Sequence, residues 1–307
     1  MNPLVSVIVP IYNAAPFLKE TLDSIIASTY RPIEIVMVDD GSQDNSLNIA
    51  QDYCTYHPDC VVIAQANQGV SAARNKAIQS AQGTYILPVD ADDKIGDTFI
   101  QQAVEVMKKN DNIRVVGCRC WMFGAVNKEW ELPKFSHALL ARKNMIPATA
   151  LYRKADWERC GGYCEEEIYR EDWDFWLSMM ELGGTFYKLD EILFYYRISA
   201  NSRRSLAKGK KKRIIDAINH RHPAYMQRYL GGPLHYHRSW SRIINFFRSE
   251  RQQGNYSDWE KGEIIYAKRN ILRNHNGLIS KQFATPSLWR GIIYGLFCKS
   301  KAQRSYE

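Results

Sequence analysis

Short β-branched runs alternate with helically spaced apolar residues through the first hundred positions, and this rhythm restricts the fold more than any other feature. Residues 4–9 (LVSVIV) form an apolar run closed by Pro10, and residues 17–29 follow with Leu18, Leu22, Ile25 and Ile26 at helical spacing. Residues 33–38 predict a second strand ending in Asp39-Asp40-Gly41-Ser42. A short helix through Leu47, Ala50 and Tyr53 leads to a third strand at 61–63. The next helix, over 70–81, is expected to stop at Gly83 in a left-handed cap. Residues 84–89 predict the fourth strand and 99–109 the helix after it. Strands without polar alternation, joined by helices, indicate an α/β fold: a mostly parallel sheet with helices on both faces.

From Ile113 the pattern loosens. Residues 115–123 predict a strand, 136–144 a short helix, Gly161-Gly162 a turn, 172–181 an amphipathic helix dense in aromatics, and 186–196 one or two strands. After Ser199 the sequence is helical, basic and rich in Tyr, Trp and His, which sets a boundary near residue 205. The 307 residues, 45% hydrophobic, suffice for one large α/β domain with an appendage. The net charge of +8 gathers late, at Arg203, Arg204, Lys208, Lys210, Lys211, Lys212 and Arg213 and again at Lys299, Lys301 and Arg304. Such a tail suits an anionic partner, a membrane surface or phosphorylated substrate; a solvated helix face fits it equally. Seven cysteines at spacings unlike a zinc finger read as reduced structural thiols. No apolar run approaches the ~20 residues that span a bilayer, so the expected location is the cytoplasm, at most at a membrane's inner face.

Ligands of an open parallel sheet bind beyond the carboxyl ends of its strands, where polar residues cluster here. Strand one delivers Pro10, Tyr12 and Asn13, strand two Asp39 and Asp40, and strand four Asp90-Ala91-Asp92-Asp93. Asn67 and Gly69 follow strand three, with Arg74 and Asn75 in the next helix. On an extended segment Asp90 and Asp92 project to one side and can share a ligand. Oxygen donors alone favour a hard ion, Mg²⁺ or Mn²⁺, with positions left open for phosphate oxygens. An acidic turn capping the helix from Asp97 is the plainer reading of that cluster. Arg74, near a helix start where amides favour anions, has the fork that suits a pyrophosphate. Asp40 is placed to accept from a base or ribose, and Tyr12 offers a ring face for stacking. Asp172 opens a helix whose dipole favours the anion, and within reach of a hydroxyl it can take a proton. Judged alone, it is a helix cap.

In order along the chain, VSVIVPIYN, VMVDDGSQDNS, NQGVSAARNKAI, DADD and GGYCEEEIYREDWDFW resemble the inverting glycosyltransferases of family 2, with the GT-A fold, over roughly residues 4–203. The resemblance implies a GT-A domain at 1–204, its nucleotide-binding half at 1–110 and acceptor half at 111–204, followed by a helical C-terminal region at 205–307. It implies that Pro10, Tyr12 and Asp40 hold the nucleoside beside Asn13, that Asn67 shapes the loop nearby, and that Arg74 approaches the pyrophosphate. Asp90 would meet ribose or metal, Asp92 would be the principal metal ligand with Asp93 the alternative, and Asp172 would be the base. The implied partners are a nucleotide-sugar donor, by default a UDP-sugar, and a saccharide or lipid-linked acceptor. One departure stands out: Ser199 occupies the place where many members carry a histidine that assists the metal or diphosphate.

Other classes fit less well. A nicotinamide dehydrogenase or a sugar nucleotidyltransferase needs glycines after strand one, and residues 10–17 hold none. Intact acids at 92 and 172 argue against a decayed, purely nucleotide-binding scaffold. Nucleic acid is not an expected partner. In the C-terminal region, the basic run leading into Ile214, Ile215 and Ile218 predicts an amphipathic helix, and residues 288–297 an interfacial apolar segment. Membrane contact, packing on the catalytic domain and a homodimer contact all suit these segments.

Overall fold

The computed structural model describes residues 2–166, 170–198 and 210–235. All lie in one compact unit, Met1–Ser249. Four parallel strands form its first half: β1 (Val5–Ile11), β2 (Ile33–Asp39), β3 (Cys60–Ala64) and β4 (Tyr85–Pro88), in the spatial order β3-β2-β1-β4. The sheet grows from β1 to β2 and β3, then returns to place β4 on the other side of β1. That reversal opens a crevice beyond the carboxyl ends of β1 and β4.

The expected mostly parallel pairing holds for that half and gives way beyond it. Strands β5 (Lys94–Ile95), β6 (Ile113–Gly124), β7 (Lys128–Trp130), β8 (Leu151–Arg153) and β9 (Thr185–Ile198) extend the sheet as β4-β8-β6-β9-β5, with β7 on β6. β8 is antiparallel to both β4 and β6, whereas β6 and β9 are parallel. The segment read as one or two strands is the single strand β9. Its register slips at Asp190-Glu191, between the pairs Cys118–Leu189 and Arg119–Ile192.

Strand residues alternate between two cores. Val5, Val7 and Val9 of β1 join Leu18, Leu22 and Ile25 of α1 (Leu18–Ile26) and Phe99, Ala103 and Met107 of α4 (Phe99–Lys109). Ala50 and Tyr53 of α2 (Ser46–Tyr56) complete that layer. Ile8, Val36, Val38 and Ile86 face the other way, onto Ala73, Ala77 and Ile78 of α3 (Val70–Ser80). The same layer holds Leu140 of α5 (His137–Leu140), Trp157 of α6 (Lys154–Cys160) and the aromatics of α7 (Glu171–Glu181). Burial of both faces is why these strands read as unbroken apolar runs.

Four expectations need correction. Gly83 does not cap α3, whose C-cap is Ala81 in extended conformation. A Cβ at Gly83 would lie 2.4 Å from Ser6 Oγ and 2.6 Å from Ser6 N, so glycine is there to let two backbones approach. The 136–144 helix shrinks to α5, capped by Ser136 Oγ accepting from Leu139 N. Helix α7 is not amphipathic: residues 173–180 are buried on every side. Its outer face is covered by two helices beyond the expected boundary, α8 (Lys211–Arg221) and α9 (Pro223–Leu230). Ile214, Ile215 and Ile218, predicted as the apolar face of a basic amphipathic helix, are buried in the α7 core. They are taken by the protein's own interior and are not free for lipid.

Residues 199–209 and 288–297, with the basic positions among them, lie outside the described residues, so Ser199 and the interfacial segment gain no structural account. Among the described residues, no helix is long and apolar enough to cross a membrane, and six cysteines are free thiols.

Candidate active site

The crevice at the β1–β4 switch point gathers most of the acids singled out above. At the end of β1, Pro10 is buried within the strand and paired with Val38, while the Tyr12 ring is 53% exposed. Asn13 adopts a left-handed conformation (φ 51°) that turns its side chain back, where Oδ1 accepts from Gln43 N at 2.7 Å. Its own N–H donates to Ser42 Oγ at 3.0 Å, stitching the two loops together.

Asp40 is buried and accepts from Gln65 Nε2, Gln68 N and Gly69 N, each at 2.8 Å. The carboxylate expected to face a nucleoside therefore holds the loop that begins α3. Gly41 (φ 73°) passes so close that a Cβ would lie 3.0 Å from Asn67 N. Asn67 itself is exposed on that loop. Neighbouring Asp39 is also buried, with Oδ2 accepting from Ser42 N at 3.1 Å.

Arg74, expected at a pyrophosphate, is 2% exposed. Nη2 donates to Asp90 Oδ1 at 2.6 Å and Nη1 to Glu171 Oε1 at 3.4 Å. Its guanidinium lies 5.4 Å from the Tyr163 ring centroid. Arg74 is thus a tie between the acidic end of β4 and the start of α7. Asn75 does similar work one residue on, with Nδ2 donating to Tyr163 O and Oδ1 accepting from Tyr163 N at 2.9 Å. Consecutive residues of one motif clamp the two halves of the domain together.

The three aspartates after β4 separate by role. Asp90 faces Arg74 and is about a third exposed. Asp93 is 1% exposed and accepts from Arg197 N at 2.7 Å, so its carboxyl turns towards β9. Asp92 is half-buried between them, and burial together with the nearby Asp90 charge pushes its carboxyl up to about 6. Burial and the charges of Asp92 and Asp90 also raise Asp93 well above the carboxylate range. Arg197 anchors this turn: Nε donates to Asp92 O at 2.8 Å, Nη2 pairs with Glu20, and the guanidinium sits between the Phe17 and Phe123 rings.

Asp92 and Asp90 supply carboxylate oxygens under mutual repulsion, the environment that a hard divalent cation relieves. Among the described residues, no cluster of three or more His, Cys, Asp or Glu forms a closed cage. The two acids fit an ion that completes its shell with phosphate and water oxygens, as Mg²⁺ and Mn²⁺ do.

Asp172 begins α7 beside Glu171. Its Oδ2 accepts from Asn144 Nδ2 at 2.6 Å and its Oδ1 from Trp173 N at 2.9 Å. Burial first, then the adjacent Glu171 charge, lifts its carboxyl to about 6, against the opposing pull of Arg170 and Arg74. Arg74 pairs with Asp90 and Glu171 and its charge acts on Asp172, so it links the end of β4 to the start of α7. Sequence reasoning missed Glu171, Asn144, Tyr163 and Arg197. Glu171 and Tyr163 lie within a motif already singled out, without a role of their own, whereas the partners of Asn144 and Arg197 are set only by the fold.

Comparison with known proteins agrees with this architecture. A profile of glycosyl transferase family 2 matches residues 6–174. The uncharacterized glycosyltransferase EpsJ of Bacillus subtilis (strain 168) is 35% identical over 218 residues, covering 66% of this chain and 63% of its own length. Chondroitin synthase of Escherichia coli is 26% identical over 228 residues, 71% of this chain and 32% of that protein. The chain therefore spans less than two thirds of either relative. The crystal structure of S. aureus TarS 1–349 in complex with UDP-GlcNAc superposes with a TM-score of 0.64 at 21% identity, covering 88% of this chain and 80% of that one. That likeness is one of fold, the GT-A arrangement of a mixed sheet with helices on both faces. With a match across more than half its length, the chain belongs to glycosyl transferase family 2.

Proposed function

We propose that this chain transfers a sugar from a nucleoside-diphosphate donor, a UDP-sugar in the first instance, to a hydroxyl of a saccharide or lipid-linked acceptor, with inversion. The observation that carries the reading is the Arg74 bridge. One buried guanidinium binds the acid turn after β4 and the first residue of α7, so that Asp90, Asp92 and Asp172 serve one reaction centre. The UDP-GlcNAc bound by TarS and the polysaccharide named in chondroitin synthase support a UDP-sugar donor and a role in cell-surface polysaccharide synthesis.

Asp172 is the general base. Lifted to about 6, it is ionised at neutral pH yet basic enough to draw a proton from an acceptor oxygen. The hydroxyl attacks the anomeric carbon as its proton passes to Asp172, and the sugar–phosphate bond breaks on the opposite side. One base and one displacement give inversion. Asp92, with Asp90, would hold Mg²⁺ or Mn²⁺, which when bound offsets the charge of the departing diphosphate. The exposed Tyr12 ring offers the face on which a nucleobase stacks. Arg74 keeps donor and acceptor sides in register from beneath.

A thermal-shift screen of UDP-, GDP- and dTDP-sugars, with and without Mn²⁺, tests the reading. A melting rise specific to one nucleotide and dependent on Mn²⁺ is expected, and Asp92→Ala should remove it. If no nucleoside diphosphate shifts the melting temperature in the presence of Mn²⁺, the transferase reading is lost.

A further inference from the structure

We propose that Asn144 is a positioning residue for the reaction, holding the Asp172 carboxylate in its attacking orientation and stabilising its charged form. The inference rests on the reading of Asp172 as the base and adds a residue to it.

The geometry is specific. Asn144 Nδ2 donates to Asp172 Oδ2 at 2.6 Å, a short bond of the kind an ionised acceptor makes. The amide cannot be reversed without loss, because Asn144 Oδ1 accepts from Ile146 N at 3.1 Å. The loop bearing Asn144 is fixed to α7 a second time, where Trp173 Nε1 donates to Leu140 O at 2.7 Å. Consecutive residues of α7, Asp172 and Trp173, therefore hold both the end of α5 and the loop that follows it, which leaves the amide little freedom. Among the described residues each Asp172 oxygen has one N–H donor, from Asn144 or Trp173, which leaves lone-pair capacity for an incoming hydroxyl.

Several charged or titratable groups act on Asp172. Glu171 opposes its ionisation, Arg170 and Arg74 favour it, and Tyr163 on the neighbouring loop feels its charge. Asn144, by contrast, is a neutral side-chain donor. A neutral donor supports the anion without converting the carboxylate into an ion pair, so its basicity survives. That is the balance a base requires.

The test is the pH dependence of kcat/KM at saturating Mn²⁺, for wild type, Asn144→Leu and Asn144→Asp, with UDP binding measured in parallel. Loss of the donor should move the acidic limb, expected at about 6, upward by about one pH unit in Asn144→Leu, the size of one hydrogen bond to a charged group. Asn144→Asp sets a second carboxylate beside the first and should move it further. Donor KM and UDP affinity should stay near wild type, which a generally disturbed fold would not allow. Variants that bind UDP normally and keep the wild-type limb would overturn the inference. Asp172→Asn separates the two ideas. If it retains turnover, the base reading itself is lost; if it is inactive while the Asn144 limb stays put, only the role of Asn144 is lost.

Discussion

Two aspartates sit two residues apart on α7 and have been given opposite characters. Asp172 meets an amide and a backbone N–H, and its carboxyl is raised to about 6. Asp174, fully buried, meets Arg221 Nε at 2.7 Å and His222 Nε2 at 2.9 Å, and its carboxyl is lowered despite the opposing effect of burial. His222 is shared with Glu181 at 3.1 Å, so the α8–α9 junction grips α7 by two acids on one face, about two turns apart. The backbone setting is the same; the partners differ. Charged donors lock an acid as an anion and make it structural, whereas neutral donors leave it able to exchange a proton.

The contrast is broken most directly by removing each charge in turn. Asp172→Asn should lower turnover by roughly 10²–10⁴-fold while UDP affinity changes little, as measured by steady-state kinetics and titration calorimetry. Asp174→Asn should show the reverse pattern. Leaving His222 and Arg221 without their buried counter-charge should cost about 3 kcal/mol in urea unfolding, towards the low end for broken buried pairs because Arg221 is partly exposed. If Asp174→Asn were as stable as wild type, the clasp would be ornamental and the comparison would fail.

The clasp also has a pH window. A lowered Asp174 contributes stability that is present above its ordinary 3.8 and lost as pH falls through its folded value. A raised His222 contributes stability present below its ordinary 6.5 and lost as pH rises through its own folded value. The grip on α7 is therefore strongest between about 4 and 6.5. The stability gap between wild type and Asp174→Asn should narrow on either side of that range.

Arg74→Lys probes the corresponding tie at the site. A single ammonium cannot reproduce the fork that spans Asp90 and Glu171, so a loss of about 1–2 kcal/mol is expected, with turnover reduced more than UDP affinity. A drop in UDP affinity that exceeds the drop in turnover would return Arg74 to the pyrophosphate role its motif implies.

What could be read in advance follows from how far each cause lies along the chain. The strands, and the acids at their ends, are written in consecutive residues, so β1, β2 and β4 fell close to where periodicity put them. Arg74 was legible as a functional position, but its partners stand 16 and 97 residues away, and no spacing rule foretells them. Gly83 was misread because glycine serves left-handed turns and close packing alike, and only the nearness of Ser6 decides between them. The burial of α7 was hidden because α8 and α9 lie beyond an apparent change in composition. Asn144 offers neither periodicity nor charge; its role exists only once α5 and α7 meet.

The smallest effect bears on whether Asp92 shares the poised character of Asp172. Its carboxyl, raised to about 6 by burial and by Asp90, contributes stability that is present below its ordinary 3.8 and lost as pH rises through about 6. Above that value, in protein stripped of divalent ions, the ionised group works against the fold. Asp92→Asn should then raise stability by about 1 kcal/mol at pH about 7.5, discounted for partial exposure, and make little difference at pH about 4. Added Mn²⁺ should invert the order, because the wild type gains a ligand-linked rise in melting temperature that the variant cannot. A variant that is less stable than wild type without metal would mean that Asp92, like Asp174, is already satisfied by the protein and does not share the poised character of Asp172.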